Sequence, residues 1–106
     1  MSDVDLSSHR IPPHNLDAEG SVLGAVMHDN LSLGAVLEII EAADFYGEAH
    51  RKIFTAIVAM SDRNEPADLI TLANFLRDQK RLDQIGGTAY LSELVDNVGS
   101  AANVAH

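Results

Sequence analysis

The sequence predicts an all-α domain, a compact bundle of five to six short helices. Three observations favour this class. Apolar residues make up 46% of the 106 positions, which is enough for one core of modest size. The aromatic residues are only three Phe and two Tyr, with no Trp, so Leu, Ile, Val and Ala must supply most of the packing. Finally, β-branched runs are short, whereas Ala and Leu are strong helix formers.

Residues 1–14 are predicted to be a flexible leader, and residues 15–106 the helical domain. The leader is polar, has no helical period and contains Pro12 and Pro13. Each proline disfavours the helical region for the residue before it. We therefore expect the first residues to be disordered or loosely attached.

The first helix is expected to begin at Asn15 or Asp17 and to end near His28. Asn15 can serve as N-cap, and Asp17 and Glu19 bring negative charge to the first turn. Glycines inside this helix cost about 1 kcal/mol each relative to Ala. They indicate either the close approach of another helix or a weak helix.

The second helix should run from a cap at Asn30 or Ser32 through Ile40. A turn with two aromatic residues then leads to the third helix, from about Glu48 to Arg63. This is the clearest helix in the sequence, because its apolar residues form one wide face. They are Ile53, Phe54, Ile57, Val58 and Met60.

Asn64 should end the third helix, because Asn tolerates the left-handed conformation that follows a helix C-terminus. Asp68 or Thr71 is expected to cap the fourth helix, and Gly86-Gly87 to make a sharp reversal after it. The apolar face of the fourth helix consists of Leu69, Leu72, Ala73 and Leu76.

A fifth helix is predicted from about Thr88 to Asn97, followed by a break over residues 98–100. Ser100 then has the properties of an N-cap for a sixth helix, which stops at His106.

Charge and composition limit the classes of function. Sixteen acidic residues against seven Lys and Arg give a formal charge of −9. Such a surface repels phosphate backbones, so tight DNA binding is not expected. The absence of cysteine excludes disulfides and thiolate metal sites. Without an apolar stretch long enough for a membrane span or a signal peptide, we expect a soluble, cytoplasmic protein.

No motif points to catalysis, a cofactor or a metal. Neither nucleotide-binding glycine motif occurs, and none of the five histidines forms a ligand pair on one helix face. We expect His50 to be partly buried, with a ring nitrogen bonded to a carbonyl. The pair Asp17 and Glu19 is interpreted as part of a solvated charged face. A hydrolase that uses carboxylates or a histidine-bound metal is only a remote alternative.

Several short motifs, in order and at consistent spacing, resemble the N-terminal domain of DnaB-type replicative helicases. The resemblance covers the chain from about Ile11 to its end, and it departs from the family's usual Gln at Gly20 and from its usual Gly at Asn64. The motifs are residues 12–19 (PPHNLDAE), 21–24 (SVLG), 44–46 (DFY), 50–54 (HRKIF), 66–72 (PADLITL), 86–94 (GGTAYLSEL) and 100–103 (SAAN).

The resemblance implies a parent protein that forms a ring-shaped hexamer and unwinds DNA at the replication fork. ATP and Mg would bind a C-terminal ATPase domain that is absent from this chain. The N-terminal domain would form a collar that assembles the ring and docks the primase. This chain stops where the family's helical hairpin begins, so we expect it to be a monomer or a weak dimer.

For partner contact, the segment from Asp68 to Thr71 is the best candidate, because a helix N-terminus exposes polar groups. A simple N-cap role for Asp68 explains that residue equally well. A free-standing adaptor, or the helicase-binding region of a primase with the same fold, is the alternative function. A P-loop ATPase encoded downstream would favour the collar domain, whereas a stop codon or an upstream polymerase domain would favour the adaptor.

Overall fold

The computed structural model describes residues 15–104, including the side chains of residues 15–97. This part of the chain contains five α-helices and no strand, which confirms the all-α prediction. Short 3-10 turns lie at Asn30–Ser32, Ala42–Asp44 and Leu82–Ile85. The predicted leader, residues 1–14, lies outside the described residues. The helices are α1 (Leu16–His28), α2 (Leu33–Leu37), α3 (Glu48–Asp62), α4 (Leu69–Asp78) and α5 (Gly87–Val104).

One apolar core lies between α1, α3, α4 and α5, and α1 packs along α5. The predicted apolar faces supply most of it. On the first two helices, Leu16 of α1 and Leu37 of α2 stay partly solvent-exposed, at 49% and 39%. The apolar residues with no exposed surface are Leu23, Val26, Ile53, Ile57, Leu72, Leu76 and Leu91.

Gly20 explains why a helix with interior glycines packs well. A Cβ atom at this position would lie 3.0 Å from Leu94 Cδ2 of α5. The missing side chain therefore lets α1 and α5 approach closely, which is the first of the two alternatives that the sequence left open. A larger residue at position 20 would require Leu94 to shift.

The second helix is shorter than predicted, because α2 ends at Leu37 and residues 38–40 form a turn. The β-branched pair Ile39-Ile40 has low helix propensity, and the turn buries Ile40 while Ile39 stays 43% exposed. Of the two predicted caps, Ser32 occupies the N-cap position of α2, but its side chain makes no capping hydrogen bond there. Asp29 accepts from Leu31 N–H at the start of the 3-10 turn, whereas the Asn30 amide bonds elsewhere.

Asn30 joins the end of α1 to the approach to α4. Its Nδ2 donates to the carbonyls of Val26, at 2.7 Å, and Ala67, at 3.0 Å. Its Oδ1 accepts from Ala67 N–H at 2.6 Å. A residue expected to start a helix therefore holds two distant segments together.

The predicted break over residues 98–100 is wrong. Helix α5 continues without interruption from Gly87 to Val104, so Ser100 lies inside a helix and starts no sixth one. A single glycine in a helix costs only about 1 kcal/mol, and neither Val nor Ser forces the backbone out of the helical region.

The predicted turns are confirmed. Asn64 follows α3 with φ of 60°, and Gly86 and Gly87 have φ of 102° and 76°. Lys80 also has a positive φ, of 59°, which the sequence did not indicate. Across residues 15–104, no helix combines the length and apolar content that crossing a membrane requires.

Candidate functional site

Three polar side chains from three helices meet inside the core, and we call them the Glu19–His50–Tyr90 cluster. Glu19 on α1 is fully buried, and His50 on α3 is 3% exposed. His50 Nδ1 donates to Glu19 Oε1 at 2.8 Å. On the other side of the ring, Nε2 lies 2.5 Å from Tyr90 Oη of α5. With Nδ1–H facing the carboxylate, Nε2 lies on the opposite side of the ring, against the Tyr90 hydroxyl.

The Glu19 carboxylate also binds the backbone just before α3. Gly47 occupies the N-cap position and has no side chain that could accept from the first N–H groups of the helix. Glu19 accepts instead from the two N–H groups that precede the first helical residue, Glu48. Glu19 Oε2 accepts from Tyr46 N–H at 2.5 Å, and Glu19 Oε1 accepts from Gly47 N–H at 3.1 Å. A carboxylate at this end of a helix is also favoured by the helix dipole.

The pKa values follow from these contacts. Burial alone would raise the pKa of Glu19, but hydrogen bonds from His50 and from the Tyr46 and Gly47 N–H groups outweigh burial and lower it. The pKa of Tyr90 is raised, first by burial and then by the negative charges of Glu93, Glu19 and Asp17. The site therefore favours a charged carboxylate beside a protonated phenol.

The order of these groups, hydroxyl to imidazole to carboxylate, is that of a nucleophilic triad, but the hydroxyl here is a phenol with a raised pKa. A nucleophile needs an activated hydroxyl with access to substrate, whereas the raised pKa keeps Tyr90 protonated. Three surface grooves of the described residues are lined by other side chains. The described residues also contain no group of three or more side chains suited to holding a metal ion. The cluster therefore ties α1, α3 and α5 together.

Sequence reasoning found this cluster only in part. The structural role of His50 is confirmed, but its partners are a carboxylate and a hydroxyl, with no carbonyl involved. Placing Glu19 with Asp17 on a solvated face was wrong, since only Asp17 is exposed. All three cluster residues lie in motifs that carry the family resemblance. A polar residue inside such a motif is the signal that could have identified them.

The candidate contact residues Asp68 and Thr71 form a reciprocal capping box at the start of α4. Thr71 N–H donates to Asp68 Oδ1, and Asp68 N–H donates to Thr71 Oγ1, each at 2.9 Å. Asp68 is exposed and Thr71 half-buried. The N-cap role is confirmed, and contact with a partner stays a prediction.

Two strongly exposed apolar side chains lie on the segments that Asn30 and the capping box join. Leu31 is 93% exposed and Ile70 is 71% exposed. Leu31 follows Asn30, whose side chain bonds Ala67, and Ile70 lies two residues after Asp68. Exposed apolar groups beside polar ones are typical of protein-docking surfaces.

Comparison with known proteins gives concordant results. Residues 11–106 match the family described as "DnaB-like helicase N terminal domain". The replicative DNA helicase DnaB of Geobacillus stearothermophilus is 49% identical over 100 residues, which are 94% of this chain and 22% of that protein. The DnaB helicase of Treponema pallidum is 47% identical over 95 residues, 90% of this chain and 22% of that protein.

A solved structure supports the same relationship. The crystal structure of the N-terminal domain of DnaB helicase from Mycobacterium tuberculosis superposes with a TM-score of 0.79 at 41% identity. The match covers 88% of this chain and 67% of the solved chain. This chain thus spans about a fifth of the length of the curated relatives named above.

Proposed function

This chain belongs to the family of DnaB-like helicase N-terminal domains, and we propose on that basis that it is the protein-interaction domain of a replicative DNA helicase. Its tasks are to help assemble the helicase ring and to dock the primase. The observation that carries the proposal is the match of residues 11–106 to this family, together with relatives that bear the helicase name.

The physical properties of the chain support a role in binding proteins. With a formal charge of −9, the domain repels the DNA backbone. The Glu19–His50–Tyr90 cluster stabilises the fold and leaves the surface for contacts. Leu31 and Ile70 are apolar side chains in contact with solvent, and burying them against a partner is favourable.

ATP hydrolysis and unwinding belong, in this proposal, to a part of the parent protein outside this chain. That part holds ATP and Mg, and the parent works as a hexamer in the cytoplasm. The chain itself is neither an ATPase nor a tight DNA binder. Alone it is a monomer or a weak dimer.

Calorimetric titration of this chain with the C-terminal domain of the primase from the same organism tests the docking role. We expect saturable binding that is independent of ATP. If neither this chain nor a version extended beyond His106 binds, primase docking is excluded and ring assembly remains.

Two substitutions at Asp68 separate partner contact from capping. Asp68→Asn preserves the acceptor oxygen and removes the charge, whereas Asp68→Ala removes the cap and costs about 1 kcal/mol of stability. If Asp68 contacts the primase through its charge, both variants weaken binding. If Asp68 only caps α4, Asp68→Asn binds like the unaltered chain.

A further inference from the structure

The surface formed by α2, α3 and the segment after α4 contains a groove with one apolar half and one basic half, and we propose that it docks an acidic segment of a partner protein that also carries apolar side chains. This inference rests on the proposed function as a protein-interaction domain, and it adds the surface and the chemistry of the segment bound there.

The apolar half is a cavity of about 310 Å³. The exposed edge of Leu37 forms one wall, and the buried side chains of Ile40 and Phe54 form its floor. Such a cavity accommodates one or two aliphatic side chains, which gain free energy by leaving water. Its lining consists mainly of Leu37, Ile40, Ala42, Phe54, Thr55 and Val58.

The basic half adjoins the apolar half, because Ala42 and Thr55 line both. It has a volume of about 340 Å³. Three of the chain's seven Lys and Arg residues line it, namely Arg51, Lys52 and Arg81. In a chain with sixteen acidic residues, this is an unusual concentration of positive charge.

The three positively charged side chains of the basic half differ in how far a nearby negative charge neutralises them. Lys52 Nζ lies 3.1 Å from Glu48 Oε2, so that pair is nearly neutral. Arg51 donates to the carbonyls of Phe45 and Tyr46, which are uncharged. Arg81 is exposed, and within residues 15–97 its guanidinium makes no ion pair. Two positive charges are therefore available to a ligand.

One further carboxylate borders the apolar half. Glu41 N–H donates to Asp44 Oδ2 at 2.8 Å, and the Glu41 backbone carbonyl accepts from Asp44 N–H at 2.9 Å. Since this charge lies on the apolar side, the groove has a direction: apolar groups fit near Glu41, and carboxylates fit near Arg51 and Arg81. A segment with apolar side chains followed by acidic ones complements both halves at once.

A nucleic acid complements this groove less well. Its phosphates could contact the basic half, but a groove with few cations on an acidic domain gives little counterion release. The aliphatic cavity would also remain unfilled. A second copy of the chain is the other alternative occupant, and sedimentation distinguishes it from a partner segment.

Fluorescence anisotropy with a labelled synthetic peptide tests the proposal on the chain as it exists. The probe is a helix-forming peptide with leucines on one face and glutamates beside them, and the control peptide has lysines in place of the glutamates. We expect the glutamate peptide to bind and the lysine peptide not to bind. Equal binding of both peptides overturns the proposal.

Two matched pairs of variants locate the site. Arg81→Glu should weaken the glutamate peptide about fivefold, as expected for reversing an exposed charge, while Arg77→Glu, at an exposed cation outside the groove, changes binding less than about twofold. Leu37→Ser should weaken the glutamate peptide about fivefold, and Leu16→Ser, at a comparably exposed leucine outside the lining of the groove, less than about twofold. Equal effects within either pair place the peptide elsewhere and overturn the proposal.

Two other occupants of the groove, a nucleic acid and a second copy of the chain, would give different results. Displacement of the peptide by an oligothymidylate would mean that the groove binds nucleic acid. A dimer that Arg81→Glu dissociates in sedimentation, without peptide binding, would mean that it binds a second copy. If the chain binds primase but not the peptide, this inference alone is excluded. If the chain binds the peptide but not primase, the primase-docking half of the proposed function is excluded, and the proposal for the groove remains.

Discussion

Glu19 is the residue on which most of the internal order of this domain depends. Removing a carboxylate from water is costly unless hydrogen bonds replace the lost hydration. Glu19 receives three, from His50 and from the Tyr46 and Gly47 N–H groups. Because these donors lie at the start of α3, the same interactions that stabilise the charge also fix where that helix begins.

Replacing Glu19 should be among the most destabilising single changes in the domain. Glu19→Ala leaves two N–H groups and an imidazole without their acceptor, and we expect a loss of about 3 kcal/mol in the free energy of unfolding. Glu19→Gln retains one acceptor oxygen and should cost about 1 to 2 kcal/mol. Urea denaturation followed by circular dichroism measures both. A loss below about 1 kcal/mol for Glu19→Ala would contradict the role assigned to the cluster.

The lowered pKa of Glu19 also predicts the direction of the pH dependence. The folded state keeps this carboxylate ionised below the ordinary pKa of 4.5. As the pH falls from that value through the folded-state pKa, the unfolded state binds the proton first, so stability decreases. We expect the urea midpoint to fall less steeply below pH 4.5 in Glu19→Gln than in the unaltered chain. Identical slopes would mean that Glu19 contributes nothing to acid unfolding.

For single residues, sequence reasoning identified contacts between residues that are close in the chain and missed contacts between residues that are far apart in it. Asp68 and Thr71 cap α4 because the acceptor lies three residues from the N–H it binds. Glu19 and His50 are 31 residues apart, and a capping pattern cannot reveal such a pair. The same holds for Asn30 and Ala67, which are 37 residues apart.

At the scale of the elements, the turn between α4 and α5 shows why two adjacent glycines are not equivalent. Both have positive φ, which strains any other residue. A Cβ atom on Gly86 would also lie 2.9 Å from Tyr90 Cβ, whereas one on Gly87 meets nothing within 4 Å.

We therefore expect Gly86→Ala to destabilise the domain more than Gly87→Ala. Gly87→Ala should cost about 1 to 2 kcal/mol of stability, because alanine is strained in the left-handed conformation. Gly86→Ala also creates a close contact with Tyr90 at the start of α5, whose hydroxyl binds His50, and should cost at least about 1 kcal/mol more. Thermal unfolding of the two variants side by side measures the difference, and equal losses would refute this explanation.

Helix prediction succeeded where apolar periodicity and a cap agreed. Helix α3 meets both conditions. Its apolar residues form one face, and Asn64, just after its C-terminus, has the left-handed conformation that was predicted there. Prediction failed where one local signal was considered alone. Gly99 and Ser100 indicated a break, but α5 continues through them. The extent of α2 was overestimated because Ile39 and Ile40 continue the apolar pattern while their backbone leaves the helix.

At the scale of the whole molecule, the inside and the surface have separate tasks. The cluster and the apolar core hold α1, α3, α4 and α5 in a fixed arrangement. The surface of residues 15–97 carries acidic residues, exposed aliphatic side chains and the groove whose basic half contains Arg51, Lys52 and Arg81. The fold class was predictable because composition and periodicity determine it. The groove was not, because α2, α3 and the segment after α4 line it together.

The central claim is that this domain supplies protein contacts to a helicase whose chemistry lies elsewhere. Its most direct test uses the full-length parent protein and a version lacking residues 1–106, each titrated with primase and assayed for ATP hydrolysis. We predict that the shortened protein hydrolyses ATP but no longer binds primase. Primase binding of unchanged affinity by the shortened protein would contradict the claim.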